Sequence, residues 1–209
     1  MREKLDILKK NDPVLGKLID LIGELKLHKQ DNHYLSLGKL IIGQQLSIKA
    51  AETIYRRFID LTKRTITPEK VIFLSDEALR KIGISYQKIK YIKDLSAKVL
   101  NKGITLETLD ELSNSEVINT LTSVKGIGSW TAEMFLIFSL RREDVLSILD
   151  VGLQRGAKWL YSTEDGKKAL IEKGLKWEPY HSLASLYLWE AVNRGLVTSY
   201  KSFDDYYQH

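Results

Sequence analysis

From residue 69 to residue 178 the chain contains no proline, and only Pro13, Pro68 and Pro179 occur in all 209 residues. Proline ends helices by removing a donor and clashing with the preceding turn. Its scarcity leaves long stretches free to be helical, and those stretches carry helical periodicity. Residues 13–26, PVLGKLIDLIGELK, place apolar residues three and four apart. Residues 35–62 read as mostly helical, with Leu37, Leu40, Ile41, Ile48, Ala51 and Ile54 near one face. Ser75 with Glu77 behind it opens a helix over 75–82. A lysine-rich amphipathic helix over 86–100 turns Ile89, Ile92, Leu95 and Val99 inward. Further helices are expected over 114–122, 129–140, 151–161, 166–175 and 180–195. Alternating strand patterns are nearly absent. The expected fold is all-α, with roughly ten short helices joined by short loops.

Composition narrows the chemistry. Hydrophobic residues make up 44% of the chain and charged residues 28%, which suits a packed, well-solvated protein. The formal charge of +5 is compatible with a polyanionic partner without establishing one. There is no cysteine, so disulfides, iron–sulfur clusters and cysteine-ligated zinc are excluded. His28, His33, His181 and His209 form no His-x-x-x-His or Glu-x-x-His set, and no metal site is expected. His28 and His33 read as surface residues; His181 reads as structural or as facing a polyanionic partner. The N-terminus is charged throughout and lacks the apolar core of a signal peptide. A soluble intracellular chain is expected, cytoplasmic in a prokaryote and nuclear in a eukaryote.

One turn stands apart. Residues 121–140, LTSVKGIGSWTAEMFLIFSL, put Gly126-Ile127-Gly128 between two apolar runs. Glycine admits positive φ and close approach of an outside group. The helix that follows begins with unpaired N–H groups and the positive end of a dipole, which suit a phosphate. Gly126, Gly128, Ser129 and Thr131 are therefore candidate backbone contacts, of a kind that positions without reading sequence. The alternative is an ordinary helix–helix turn.

With its neighbours, this stretch resembles a family. VKGIGSWTAE is similar to the hairpin of the helix-hairpin-helix (HhH-GPD) DNA glycosylase superfamily. LSILDVGLQRGAKWLY, about twenty residues on, resembles that family's catalytic segment. IIGQQLSIKAAETIYRRF (41–58) resembles the wedge-loop helix of the alkylated-base branch, typified by 3-methyladenine DNA glycosylase II. WEPYHSLASLYLW (177–189) resembles a further segment of the same branch. The matches run in order from about residue 35 to 193. The resemblance implies two packed helical lobes with an active-site cleft between them, residues 36–146 in one and 1–35 with 147–209 in the other. It implies the catalytic core alone, without the mixed α/β domain that precedes it in the bacterial enzyme.

The resemblance also assigns roles. Asp150 is the candidate catalytic acid: base removal passes through an oxocarbenium-like state whose positive charge a carboxylate stabilises. Read alone, Asp150 is first an N-cap for the helix after it. Trp130 stands where bifunctional relatives carry a lysine, which implies a monofunctional enzyme that uses water. Its indole suits a cationic alkylated purine through cation–π stacking, or else anchors the core. Trp189 is a second candidate for the base pocket, again with a core alternative. Met134 falls where the bacterial enzyme has tyrosine and is the third pocket candidate. In the wedge loop, Gln44 or Gln45 would fill the gap left by a flipped base, with Ile42 as an apolar wedge. The alternative there is a helix start with solvated glutamines. Several of Lys49, Arg56, Arg57, Lys88, Lys90, Lys93, Lys125 and Arg155 are expected to meet phosphates.

The implied activity is a monofunctional DNA glycosylase for alkylated purines such as 3-methyladenine and 7-methylguanine. It needs no cofactor and no catalytic metal, and acts as a monomer on damaged double-stranded DNA. Two rivals remain at this stage. A bifunctional glycosylase/lyase for oxidised bases needs an amine at the sugar. A non-enzymatic helix-hairpin-helix module binds DNA and releases nothing.

Overall fold

The structure, a computed structural model, describes residues 1–25 and 32–208; the reading of His28 as a surface residue lies outside them. Every regular element among the described residues is a helix, as the missing strand pattern predicts. The chain divides into two units, Met1–His28 with Arg142–His209, and Lys29–Arg141.

The first unit holds α1 (Arg2–Asn11), α2 (Pro13–Ile22), α10 (Val151–Leu160), α11 (Gly166–Gly174), α12 (His181–Asn193) and two short helices, α13 (Leu196–Ser199) and α14 (Phe203–Gln208). Its core joins Leu8, Leu15 and Leu18 from the N-terminal pair to Leu153, Trp159, Trp177, Tyr187 and Leu188. Gly156 lets α10 approach α12 closely, since a Cβ there would lie 3.1 Å from the Leu188 carbonyl oxygen.

Asp12 ties the N-terminus to this unit. It is buried between α1 and α2. Its Oδ1 caps α2 by accepting from the Val14 and Leu15 amides at 3.2 and 3.1 Å. Its Oδ2 accepts from the Tyr161 hydroxyl at 2.6 Å and Trp177 Nε1 at 3.0 Å. Burial, and then the Asp12 charge, push the Tyr161 hydroxyl's pKa well above its ordinary value, so it stays a donor. Asp12→Ala removes a cap and strands the buried Trp177 donor and the part-buried Tyr161 hydroxyl. We expect a loss of about 3–7 kcal/mol, from a cap of about 1 and two orphaned groups of about 1–3 each. Chemical denaturation measures it; a loss below 1 kcal/mol would mean the network is idle.

The second unit holds α3 (His33–Gly43), α4 (Ile48–Leu61), α5 (Pro68–Phe73), α6 (Asp76–Lys81), α7 (Tyr86–Leu100), a 3-10 turn (Leu106–Glu111), α8 (Asn114–Thr122) and α9 (Ser129–Phe138). Ser47, Thr67, Ser75, Ser85 and Ser113 each cap the helix that follows. Helix α3 packs against α4, α7 and α9, and α5 against α7. Buried residues here include Leu37, Ile41, Phe58, Ile89, Ile92, Leu95, Leu121 and Phe135.

Several expectations need correction. The stretch 35–62 is mostly helical as expected, in two helices broken at Gln44–Ser47, but Ile48, expected on the apolar face, is exposed at the start of the second. Helix α2 stops at Ile22 because Gly23 takes φ 77. Helices α1, α5, α13, α14 and the 3-10 turn were not foreseen. For α5 a signal was present: Thr67 caps and Pro68 takes the first position. His33 is no surface residue. It is half-buried, with Nδ1 2.9 Å from the Leu106 carbonyl and its ring edge-on to Phe135. No helix among the described residues is long and apolar enough to cross a membrane.

Candidate active site and nucleic-acid interface

The sequence candidates fall into two constellations, one in each unit. In the second unit the chain leaves α8, turns through Val124–Gly128 and enters α9. Val124 and Ile127 are buried and anchor the turn from below. Gly126 takes φ 80. Gly128 is the N-cap of α9, and a Cβ built on it would meet nothing within 4 Å. The turn therefore offers open space above Gly128 and the amides of a helix start, which is what an anionic oxygen requires. Ser129 is exposed beside it and Thr131 is buried.

The loop between α3 and α4 lies beside this turn. Gln44 ends α3, and its side-chain Nε2 donates to the Gly126 carbonyl at 2.8 Å and to Thr131 Oγ1 at 3.2 Å. Gln45 follows at φ 56, exposed, and Leu46 is exposed next to it. Ile42 is 1% exposed. A wedge must reach solvent to enter a duplex, so Ile42 is a core residue and the expectation is corrected. Leu46 is the exposed apolar side chain that the sequence reading missed; its only signal was adjacency to the Ser47 cap. A cavity of about 330 Å³ opens between loop, turn and α7, lined by Gln44, Gln45, Lys88, Tyr91, Trp130 and Thr131 among others.

Trp130 is 41% exposed at the mouth of α9, so it is not a core anchor. Met134 is 4% exposed on the inward side of the same helix. It does not line that cavity. It belongs to a helix buried on most sides, together with Thr131, Ala132, Phe135, Leu136 and Ile137. Two of the basic residues expected at phosphates are engaged elsewhere: Lys88 donates to backbone carbonyls, and Lys93 pairs with Asp76.

The first unit carries Asp150, 7% exposed, at the N-cap of α10. Its Oδ1 accepts from the Leu153 amide at 2.7 Å and from Trp189 Nε1 at 2.9 Å. One carboxylate oxygen thus both caps α10 and accepts the Trp189 indole N–H. Gly152 makes room for the pair, since a Cβ there would lie 3.0 Å from Asp150 Oδ1 and 3.3 Å from Trp189 Cδ1. Trp189 is half-buried with its indole N–H turned to the acid. Leu149 and Val151, on either side, are exposed. The segment before Asp150 is laid on α12. The Val145 amide donates to Ser182 Oγ at 3.1 Å, the Ser182 amide to the Glu143 carbonyl at 2.9 Å, and His181 pairs with Asp144. His181 is thereby a structural residue.

Comparison with known proteins identifies the architecture. The chain is 32% identical over 182 residues to DNA-3-methyladenine glycosylase 1 of Schizosaccharomyces pombe, covering 83% of this chain and 80% of that protein. The crystal structure of a DNA-3-methyladenine glycosidase from Bacillus halodurans superposes with a TM-score of 0.85 at 44% identity, over 99% of this chain and 96% of that one. The S. pombe 3-methyladenine DNA glycosylase in complex with abasic DNA gives 0.84 at 30% identity, over 91% and 97%. Residues 39–179 match the HhH-GPD superfamily base excision DNA repair protein family, and the chain belongs to that superfamily.

Proposed function

We propose that this protein is a monofunctional DNA glycosylase, which hydrolyses the N-glycosidic bond of alkylated purines in duplex DNA and leaves an abasic site. The observation that carries the reading is the Asp150 carboxylate, buried at a helix N-terminus and held by two donors on one oxygen. In this role it faces the sugar as positive charge develops at C1′, and its fixed orientation removes the need to reorganise during the step. Water completes the displacement. The names of the relatives, glycosylases and a glycosidase for 3-methyladenine, support the substrate class.

The second unit supplies the grip on DNA. The amides from Gly126 to Thr131 take a backbone phosphate, and the loop 44–47 enters the duplex. Gln45 and Leu46 are its exposed side chains and take the gap-filling and wedge roles; Gln44, tied to the turn, does not leave it. The Trp130 indole stacks on the extruded base, favouring a cationic purine.

Position 130 carries no amine, and the lysine that lines the same cavity, Lys88, is bonded to two carbonyls. Both facts support hydrolysis over lyase chemistry. The test is a base-release assay on methylated duplex DNA, run with and without borohydride. Free 3-methyladenine and 7-methylguanine should appear, abasic sites should remain uncleaved, and borohydride should trap no adduct. A covalent adduct would replace this reading with a bifunctional lyase. Tight binding without any base release would leave a DNA-binding module.

A further inference from the structure

Helix α7 places Lys88, Tyr91 and Asp94 three residues apart, on one side of the helix. Each meets one of the two loops assigned to DNA. Lys88 Nζ donates to the Ile42 carbonyl at 2.8 Å and the Gln44 carbonyl at 2.5 Å, closing the C-terminal end of α3, where unpaired carbonyls and the negative end of the dipole attract a cation. The Tyr91 ring lies under the hairpin, so close that a Cβ on Gly126 would be 2.1 Å from its Cδ2. Asp94 Oδ2 accepts from the Lys125 amide at 2.9 Å and from Lys98 Nζ at 2.9 Å. Burial of Asp94 alone would raise its pKa; these donors outweigh that and hold it below the ordinary value. Gln44 closes the circuit through its bonds to Gly126 and Thr131.

A lysine serving phosphates keeps its ammonium in solvent. Lys88 is half-buried, and burial lowers its pKa. Its charge is directed at the backbone of the loop. Opening a base stack resists the loop that enters it, and a loop free to recoil would yield instead of the base. We propose that Lys88, acting through Gln44, is a positioning residue for base extrusion: it holds the loop 44–47 in fixed register with the hairpin. The inference rests on the glycosylase reading of the same site.

The test separates extrusion from chemistry. Single-turnover release of 7-methylguanine is measured from two duplexes, one with cytosine opposite the lesion and one with an abasic-site analogue, where no pairing opposes extrusion. Lys88→Met should lose about 10²-fold opposite cytosine, the scale of a misplacement near 1 Å. It should lose less than about threefold opposite the abasic analogue, where extrusion is cheap. Lys88→Arg, which keeps donors, should restore most of the rate. The salt dependence of binding should keep its slope, whereas loss of a phosphate contact would lower it by about 0.9. If Lys88→Met does not fold, Gln44→Met carries the same test, since it removes only the tie to Gly126 and Thr131. Equal losses on both duplexes, a reduced slope, or no loss opposite cytosine would overturn the proposal. Wild-type protein that releases nothing from either duplex is a different result: it removes the glycosylase reading, and this inference with it.

Discussion

Asp150→Asn should lower single-turnover release of 3-methyladenine about 10²–10³-fold, the usual cost of one preorganised group facing transition-state charge. DNA affinity should stay within about threefold, because the acid is assigned to the sugar and not to phosphates. Asparagine suits the test because its carbonyl oxygen can accept both hydrogen bonds that Asp150 Oδ1 accepts, from the Leu153 amide and Trp189 Nε1. It is also among the best N-caps, so α10 keeps its start. What is lost is the negative charge. Trp189→Phe removes the indole donor and leaves the charge, so the same assay should show a smaller loss through a looser carboxylate. An Asn variant that works at the wild-type rate would remove Asp150 from the chemistry.

Gly126→Ala should unfold the hairpin locally and abolish tight binding to DNA. Gly126 sits at φ 80, a conformation that costs a residue with a side chain about 1–2 kcal/mol. The new methyl would lie 2.1 Å from Tyr91 Cδ2 and 2.3 Å from Cγ and Cε2, so ring or turn must shift. Overpacking of this kind adds about 1–3 kcal/mol, for a total of about 2–5 kcal/mol, read as a lower denaturation midpoint. Gly128→Ala is the control: its backbone is extended and its Cβ meets nothing within 4 Å. That variant should be as stable as wild type. If a phosphate docks above the turn, it should nevertheless bind DNA more weakly, because the methyl enters the space the phosphate needs. Gly128→Ala with unaltered affinity would move the phosphate site away from the hairpin. Gly126→Ala with an unaltered melting curve would mean that Tyr91 is not held as described.

Much of the architecture is legible in the one-dimensional pattern. Ser75 announces the helix it caps, and the inward face of Tyr86–Leu100 shows as Ile89, Ile92 and Leu95. The order of hairpin, Asp150 and the Trp177–Trp189 segment leads to the family that residues 39–179 match. Helix α1 escaped because its sequence is charged throughout and only Leu8 is buried; packing on α2 supplies what periodicity does not. Ile42 was misplaced for a related reason. A position within a motif does not reveal which face of its helix the core will claim.

Helical spacing and cap chemistry act over three or four residues, so the sequence alone determines the all-α class, most helix boundaries and the glycine turn. Which polar atoms meet is decided by contacts far apart along the chain, and only the tertiary structure decides them. Gln44 reaches Gly126 across 82 positions and Lys88 reaches Gln44 across 44. Trp189 reaches Asp150 across 39, and Tyr161 reaches Asp12 across 149. Of two adjacent glutamines one becomes a tie and the other an exposed tip, because the backbone turns left-handed at Gln45 while a carbonyl 82 residues away claims Gln44.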